Sequence, residues 1–298
     1  MVGHLFLGEN MEVKQPTTYE EQIEILKRRG MIIPDENRAI QFLKSESYYR
    51  ISGYWLTMLI RSKEEGSEDH FCDGASFDDV MDLYCFDQDL RMVVLYATSR
   101  IETNIKAYIS YFHSHQYGPL GYLDKKNFED AAYFFIMKEA LWKDIQRQKS
   151  SLFVKHHINN KNNVFPVWVA TELLTFDQIS KFYKNMLPKD RSYIAKEHYH
   201  IPSREYIENW LSCSVVARNI AAHGGRFYNR YNFGPTAKLP KTYLSYSKSF
   251  FGIAYCISHL LQFSDREVFK SGIDLCFKEH PSAMLKHLGF PENWKTIL

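Results

Sequence analysis

Apolar residues recur at intervals of three and four through most of the chain, and this pattern predicts a string of amphipathic helices. Tyr19, Ile23, Ile25 and Leu26 repeat in this way behind a cap at Thr17 or Thr18, and Gly30 supplies the C-cap. A second helix follows Pro34 on the apolar side Ala39, Ile40, Phe42 and Leu43. It leads into the octet YYRISGYW, Tyr48 to Trp55, whose rings are expected to lock a small N-terminal unit together, base stacking being the alternative. Glu64 to Gly74 is polar and acidic and reads as a surface loop. Ser76 with Asp79 then reads as a capping box opening a long helix. Its apolar side runs through Val80, Leu83, Tyr84, Leu90, Val94, Ala97, Ile101, Ile105, Tyr108 and Phe112, and it ends by Gly118 and Pro119.

A further helix is expected from Asn127 or Asp130 to Gln148, followed by an exposed loop at SSLFVKHHINNKNN. Helical spacing resumes from Phe165 to Leu187, with a break or cap near Asp177, and Pro188 closes it. In the next helix Ile207, Trp210, Leu211, Ser214, Ala217 and Ala221 share a side, Ser203 is the cap, and Gly224 and Gly225 are the stop. A loop with Gly234, Pro235 and Pro240 precedes a buried stretch, Tyr246 to Phe263, and a weak helix from Ile273 to Leu288 ends in a GFPENW tail. No segment sustains the period-two alternation of a strand, and no repeat is present. The expected class is all-α: an antiparallel bundle at 71–264, an N-terminal helical extension at 1–70 and C-terminal helices at 265–298.

At 298 residues the chain can build a sizeable core, and its 20 Tyr and 21 Phe exceed what core filling needs. The net charge of +2 is too small to mark the whole molecule as a nucleic-acid binder, but the charge is unevenly spread. Glu64 to Leu90 holds ten acidic residues and no Lys or Arg, whereas Asn209 to Ser264 holds six basic residues and no Asp or Glu. Five cysteines without a C-x-x-C pair argue against a disulfide framework or zinc knuckle and point to a reducing cytosol, hence a cytoplasmic protein. His113 with His115, and Glu197 with His198 and His200, lack partners at zinc-ligand spacing, so no metal site is expected. There is no P-loop, GxGxxG, G-x-S-x-G or Cys-His arrangement, and no cofactor is expected. The first residues lack a basic n-region, and no run of about 18 apolar residues occurs, so no membrane association is expected.

The chemistry concentrates in ARNIAAHGGRFYNR, Ala217 to Arg230. Asn219 and His223 lie four residues apart on one side of the predicted helix end, with Arg218 about 100° around from Asn219. Taken alone, two cations at a helix C-terminus act as favourable caps. Just beyond, Arg226, Arg230, Lys238 and Lys241 alternate with Phe227, Tyr228, Tyr231, Phe233 and Tyr243. That combination suits single-stranded or looped RNA, the alternative being a Tyr-rich loop packed on its own bundle.

Arg218-Asn219-x-x-x-His223 resembles the R-N-x-x-x-H motif of HEPN domains, helical bundles that often act as metal-independent ribonucleases. Together with EEQIEILKRRGMII, YYRISGYW, FDQDLRMVV with RIE, YGPLGYLD, FPVWVATELLTF and LGFPENWK, it resembles the Abi-like (AbiD/AbiF) abortive-infection family, an HEPN branch, from about Lys14 to Trp294. Gly224 stands where that family often has a second His, and Asp177 where Gly is common. The resemblance implies an endoribonuclease of phage defence with toxin-like behaviour, acting as a homodimer that joins Arg218, Asn219 and His223 of two chains in one catalytic cleft. Histidine titrates near neutrality and suits acid and base roles at the 5′-oxygen and 2′-hydroxyl, and arginine binds the phosphate. Tyr228 and Tyr231 with Arg226, Arg230, Lys238 and Lys241 are then the RNA-binding set. Glu102 is expected either to hold Arg218 or to form an i,i+4 surface pair with Lys106. A small noncoding RNA is the candidate regulator. The alternatives are a non-cleaving binder of a structured RNA and a protein–protein adaptor using the acidic stretch and the aromatic surplus.

Overall fold

The computed structural model describes residues 15–61, 68–201 and 203–298, and it divides into two compact units, residues 1–84 and 85–298. Within the first, α1 (Tyr19–Arg28) opens on a capping box. Thr18 Oγ1 accepts the Glu21 amide at 3.1 Å, and the Glu21 carboxylate accepts the Thr18 amide at 2.7 Å. Gly30 takes φ +93° to turn the chain out of the helix. The Asp35 side chain caps α2 (Glu36–Ser45), which packs against α1 through Ala39 and Leu43. Of the aromatic octet, Tyr48–Ile51 forms the single turn α3, Tyr54 and Trp55 enter this unit's core, and Tyr49 stays exposed. Trp55 meets Phe71 edge-on at 6.0 Å, beside a two-residue antiparallel ribbon of β1 (Leu59–Ile60) and β2 (His70–Phe71) that the helical pattern did not announce. The expected loop from Glu64 lies partly outside the described residues.

The long helix α4 (Phe77–Tyr117) runs for 41 residues. At its start Ser76 Oγ accepts the Asp78 amide at 3.2 Å, and at its end Gly118 takes φ +79°. In the second unit α4 is joined by α5 (Ala131–Arg147), α6 (Leu152–Asn160), α7 (Val167–Leu173), α8 (Phe176–Asn185), α9 (Pro188–Tyr199), α10 (Arg204–Ala222), α11 (Phe250–Leu260), α12 (Phe263–Glu279) and α13 (Trp294–Ile297). Among the described residues the only strands are β1 and β2, so the fold is all-α. No helix among them is long and apolar enough to cross a membrane. Helix α11 is buried on nearly every side and packs on α10, which also meets α8 and α9.

Four elements differ from the pattern-based expectation. Residues 152–160 are helical rather than a loop: Val154 is buried, and the His157 ring stacks on Phe165 at 5.3 Å, so tertiary anchoring replaces periodicity. Pro188 starts α9 instead of merely closing α8, because proline suits the first helical turn, where its missing N–H is not needed. The break between α7 and α8 falls at Thr175, which forms a capping box with Gln178, and Asp177 lies inside α8. Helix α12 begins at Phe263, ten residues before the expected start. There Gly272 brings the backbone so close to α4 that a Cβ would lie 2.9 Å from Val93 Cγ2.

Candidate functional site at the end of α10

Helix α10 turns Ile207, Trp210, Leu211, Cys213, Ser214, Ala217 and Ala221 into the core. The remaining side carries Glu205, Glu208, Asn209, Ser212, Val216, Asn219 and His223, none of which is buried. The helix ends in a Schellman motif: Gly225 N–H donates to the Ile220 carbonyl at 2.7 Å and Gly224 N–H to Ala221 at 3.2 Å. Gly224 supplies the left-handed residue at φ +65°, the conformation that closes this motif. His223 is the C-cap residue, with its imidazole exposed and its amide donating to the Asn219 carbonyl at 3.1 Å.

The motif residues are therefore gathered by one helix end. Arg218 Nη1 donates to Asn219 Oδ1 at 3.0 Å, fixing the guanidinium beside the amide, and Asn219 shares the exposed face with His223. Glu102 is directed elsewhere: its carboxylate pairs with Lys106 Nζ at 3.0 Å along α4, and it makes no hydrogen bond to Arg218. The pair is not the surface decoration the i,i+4 spacing suggests, since Lys106 is buried.

Beyond Gly225 the chain forms a strap that returns along α10. Phe227 and Phe233 are buried against Phe250, at ring separations of 4.8 and 6.4 Å. Tyr228 is only 1% exposed, packed against Phe86 at 6.0 Å and His287 at 5.5 Å, so it offers no face on which a base can stack. Of the proposed RNA-binding residues, Tyr228 is thus core. Tyr231 is 56% exposed, Lys238 and Lys241 are exposed, and Arg226 and Arg230 are half-buried, with the Arg230 guanidinium 5.3 Å above the Phe233 ring. Asn209 fixes the strap from α10, accepting the Lys238 amide at 2.7 Å and donating to the Thr236 carbonyl at 2.9 Å, while Trp210 Nε1 donates to the Lys238 carbonyl at 2.8 Å. Burial lowers the His287 pKa, and the neighbouring Lys286 adds to the effect.

The spacing of the R-N-x-x-x-H residues does not point to Asp87, although it lies within the family-like stretch FDQDLRMVV. It is wholly buried on α4 and accepts the amides of Phe227, at 3.0 and 3.2 Å, and of Tyr228, at 3.0 Å. Arg91, one turn on, donates to it at 3.3 Å. A signal was present: Asp87 and Arg91 interrupt the apolar stripe of α4 at positions where Leu83, Tyr84, Leu90 and Val94 prescribe a buried side chain. A charged residue there needs a partner, and the partner is the strap that begins just after His223.

The second unit is thus all-helical, and its α10 ends on Arg218, Asn219 and His223, with the buried Asp87 bracing the strap that follows. A family model described as Abi-like protein matches residues 41–229, and the chain belongs to that family. The matched segment holds Asp87, Arg91, Arg218, Asn219 and His223. Membership supports a role in abortive infection. No curated protein and no solved structure matches the chain.

Proposed function

We propose that the chain is a metal-independent endoribonuclease of abortive infection, with Arg218, Asn219 and His223 as its catalytic residues. The observation that carries this reading is the delivery of all three to one exposed helix end, where the guanidinium is held by Asn219 and the imidazole is open to solvent. In this reading His223 moves the proton between the 2′-hydroxyl and the 5′-oxygen, and Arg218 offsets the charge that builds on the phosphate. One chain supplies one histidine at this site, and cleavage needs both an acid and a base. A homodimer that faces two motifs across a two-fold axis provides both. Arg226, Arg230, Tyr231, Lys238 and Lys241 line the route of the RNA, and a small noncoding RNA bound there is the proposed regulator.

The test is cleavage of labelled RNA by purified protein in EDTA. Cleavage that is lost in Arg218→Ala and in His223→Ala supports the reading. RNA retention with no cleavage by the wild-type chain would leave an RNA-binding protein whose motif clamps its ligand.

A further inference from the structure

Beside the exposed face of α10 lies a polar cleft with two lobes, of about 670 and about 300 Å³. Both are lined by Lys181 and Lys184 of α8 and by Glu205 and Glu208 of α10. The larger lobe continues to Glu129, Asp130 and Tyr133, and the smaller to Asn209, Ser212 and Lys238.

The charges in this cleft are separated. Arg191, 5% exposed, sits in the larger lobe and is gripped by both Glu129 and Glu208, so two carboxylates share one guanidinium and that end carries acceptors in excess. Asp177 is paired with Lys181 at 2.7 Å. Glu205 pairs with Arg204 at 3.0 Å and accepts the Ser203 hydroxyl at 2.6 Å, and that hydroxyl chiefly holds its pKa below the usual carboxylate value. What remains is Lys184 and Lys238, both exposed and neither in an ion pair among the described residues. The smaller lobe therefore presents two ammonium groups outside any ion pair among the described residues, Lys238 lying close enough to Glu205 to help lower its pKa, together with the exposed Ser212 hydroxyl.

Position along α10 connects this lobe to the motif. Seven residues separate Ser212 from Asn219, which is a rise of about 10 Å at nearly the same angle around the helix, about 20° apart. His223 follows one turn later on that face. A polyanion lying along α10 passes from the two lysines to the motif without crossing to another side of the helix.

We propose that the smaller lobe is a phosphodiester-binding subsite for single-stranded RNA, in which Lys184 and Lys238 hold backbone phosphates upstream or downstream of the scissile one. Charge, rather than shape, selects the ligand: two mobile ammonium groups attract successive phosphates, and the acceptor-rich Glu129 end repels them and sets the limit of the track. Lys184 enters the site through tertiary structure alone, because it comes from α8. The proposal rests on the ribonuclease reading for its substrate and on the cleft alone for its phosphate.

The test uses the full-length chain carrying His223→Ala as a non-cleaving parent, titrated with fluorescently labelled single-stranded RNA across a salt series, and separately with inorganic tripolyphosphate by calorimetry. Adding Lys184→Ala and Lys238→Ala should weaken RNA binding and lower the slope of log K against log salt by about 1.4, since each phosphate contact on a single strand contributes about 0.7. Lys184→Arg with Lys238→Arg should restore both. Unchanged affinity and slope in the double alanine variant would overturn the subsite while leaving the motif reading intact. If the parent binds tripolyphosphate through these lysines but binds no RNA, the phosphate site stands and the ribonuclease reading falls. A parent that binds neither overturns the subsite.

Discussion

The Asp87 carboxylate accepts the Tyr228 amide at 3.0 Å, joining α4 to the first residues after the motif across 141 positions of sequence. The same carboxylate takes the Phe227 amide and the Arg91 guanidinium. A buried carboxylate is costly unless donors replace its water, and two backbone amides with a cation do so here. The amides are those of a segment that must leave a helix end and return along it, so the ion fixes the direction in which the chain departs from His223.

Asp87→Ala should therefore destabilise the protein by about 3 to 5 kcal/mol, because it takes the carboxylate from buried Arg91 and the acceptor from two buried amides. Asp87→Asn keeps one acceptor oxygen for the Phe227 and Tyr228 amides but loses the charge and turns an NH2 donor towards Arg91, so it should still cost less, on the order of 1 to 3 kcal/mol. Urea unfolding of both variants checks this order. Equal stability for the alanine variant and wild type would remove Asp87 from its bracing role.

How far this arrangement was legible in the sequence can be judged from particular residues. The cap at Thr18, the stop at Gly224-Gly225 and the full extent of α4 follow from local rules, because capping and periodicity are local physics, whereas Ser203 stands at the cap position of α10 with its hydroxyl turned to Glu205 instead. Helices α6 and α9 escape those rules: one rests on His157 stacking against Phe165, and the other begins at a proline that a linear reading takes as a terminator. At the site, Arg218, Asn219 and His223 are neighbours on one helix and could be found by spacing. The burial of Tyr228 could not, since the ring's alternation with basic residues is the same whether it faces solvent or meets Phe86 and His287. Asp87 and Lys184 reach their places through packing between elements distant in sequence.

Gly224 and Gly225 should tolerate alanine poorly, for different reasons. Gly224 sits at φ +65°, where a Cβ costs about 1 kcal/mol. At Gly225 a Cβ would lie 2.9 Å from Ile220 Cγ2 and 3.1 Å from its carbonyl oxygen, so the Schellman turn itself must shift. Gly225→Ala is expected to lower the thermal midpoint more than Gly224→Ala, and to lower any RNA cleavage in parallel because His223 is the cap of this turn. Thermal melts of the two variants, with wild type alongside, decide the order.

Stability should fall on acidification through two histidines, His113, which is buried, and His259, which is half-buried. His113 has no hydrogen-bond partner for either ring nitrogen and lies among Tyr117, Phe128 and Phe182, and burial lowers its pKa to about 4. Burial also lowers His259 to about 4. An unfolded histidine titrates near 6.5, so between that value and about pH 4 the unfolded chain binds more protons and the folded state loses ground as pH falls. From pH 7 to pH 5 each residue should remove about 2 kcal/mol of stability. Unfolding free energies at the two pH values, for wild type and His113→Leu, test this. The variant should lose about half of the pH-dependent difference, and an undiminished difference would assign the effect to other groups.

If two motifs form one catalytic cleft, activity depends on the make-up of each dimer rather than on the number of wild-type chains. Mixing wild-type with His223→Ala chains under conditions of full subunit exchange should then reduce activity as the square of the wild-type fraction, to about one quarter at equal amounts. Independent sites would leave about one half. The exposed position of His223 favours the first outcome, because among the described residues neither its ring nor Arg218 is bonded to an acid or base: Arg218 is bonded to Asn219, and Glu102 is committed to Lys106. In the proposed ribonuclease reading, the second acid–base group is then the histidine of a second copy of the helix end. Linear dependence on the wild-type fraction, measured with subunit exchange verified by differently tagged chains, would return the chemistry to a single chain and leave His223 to act alone.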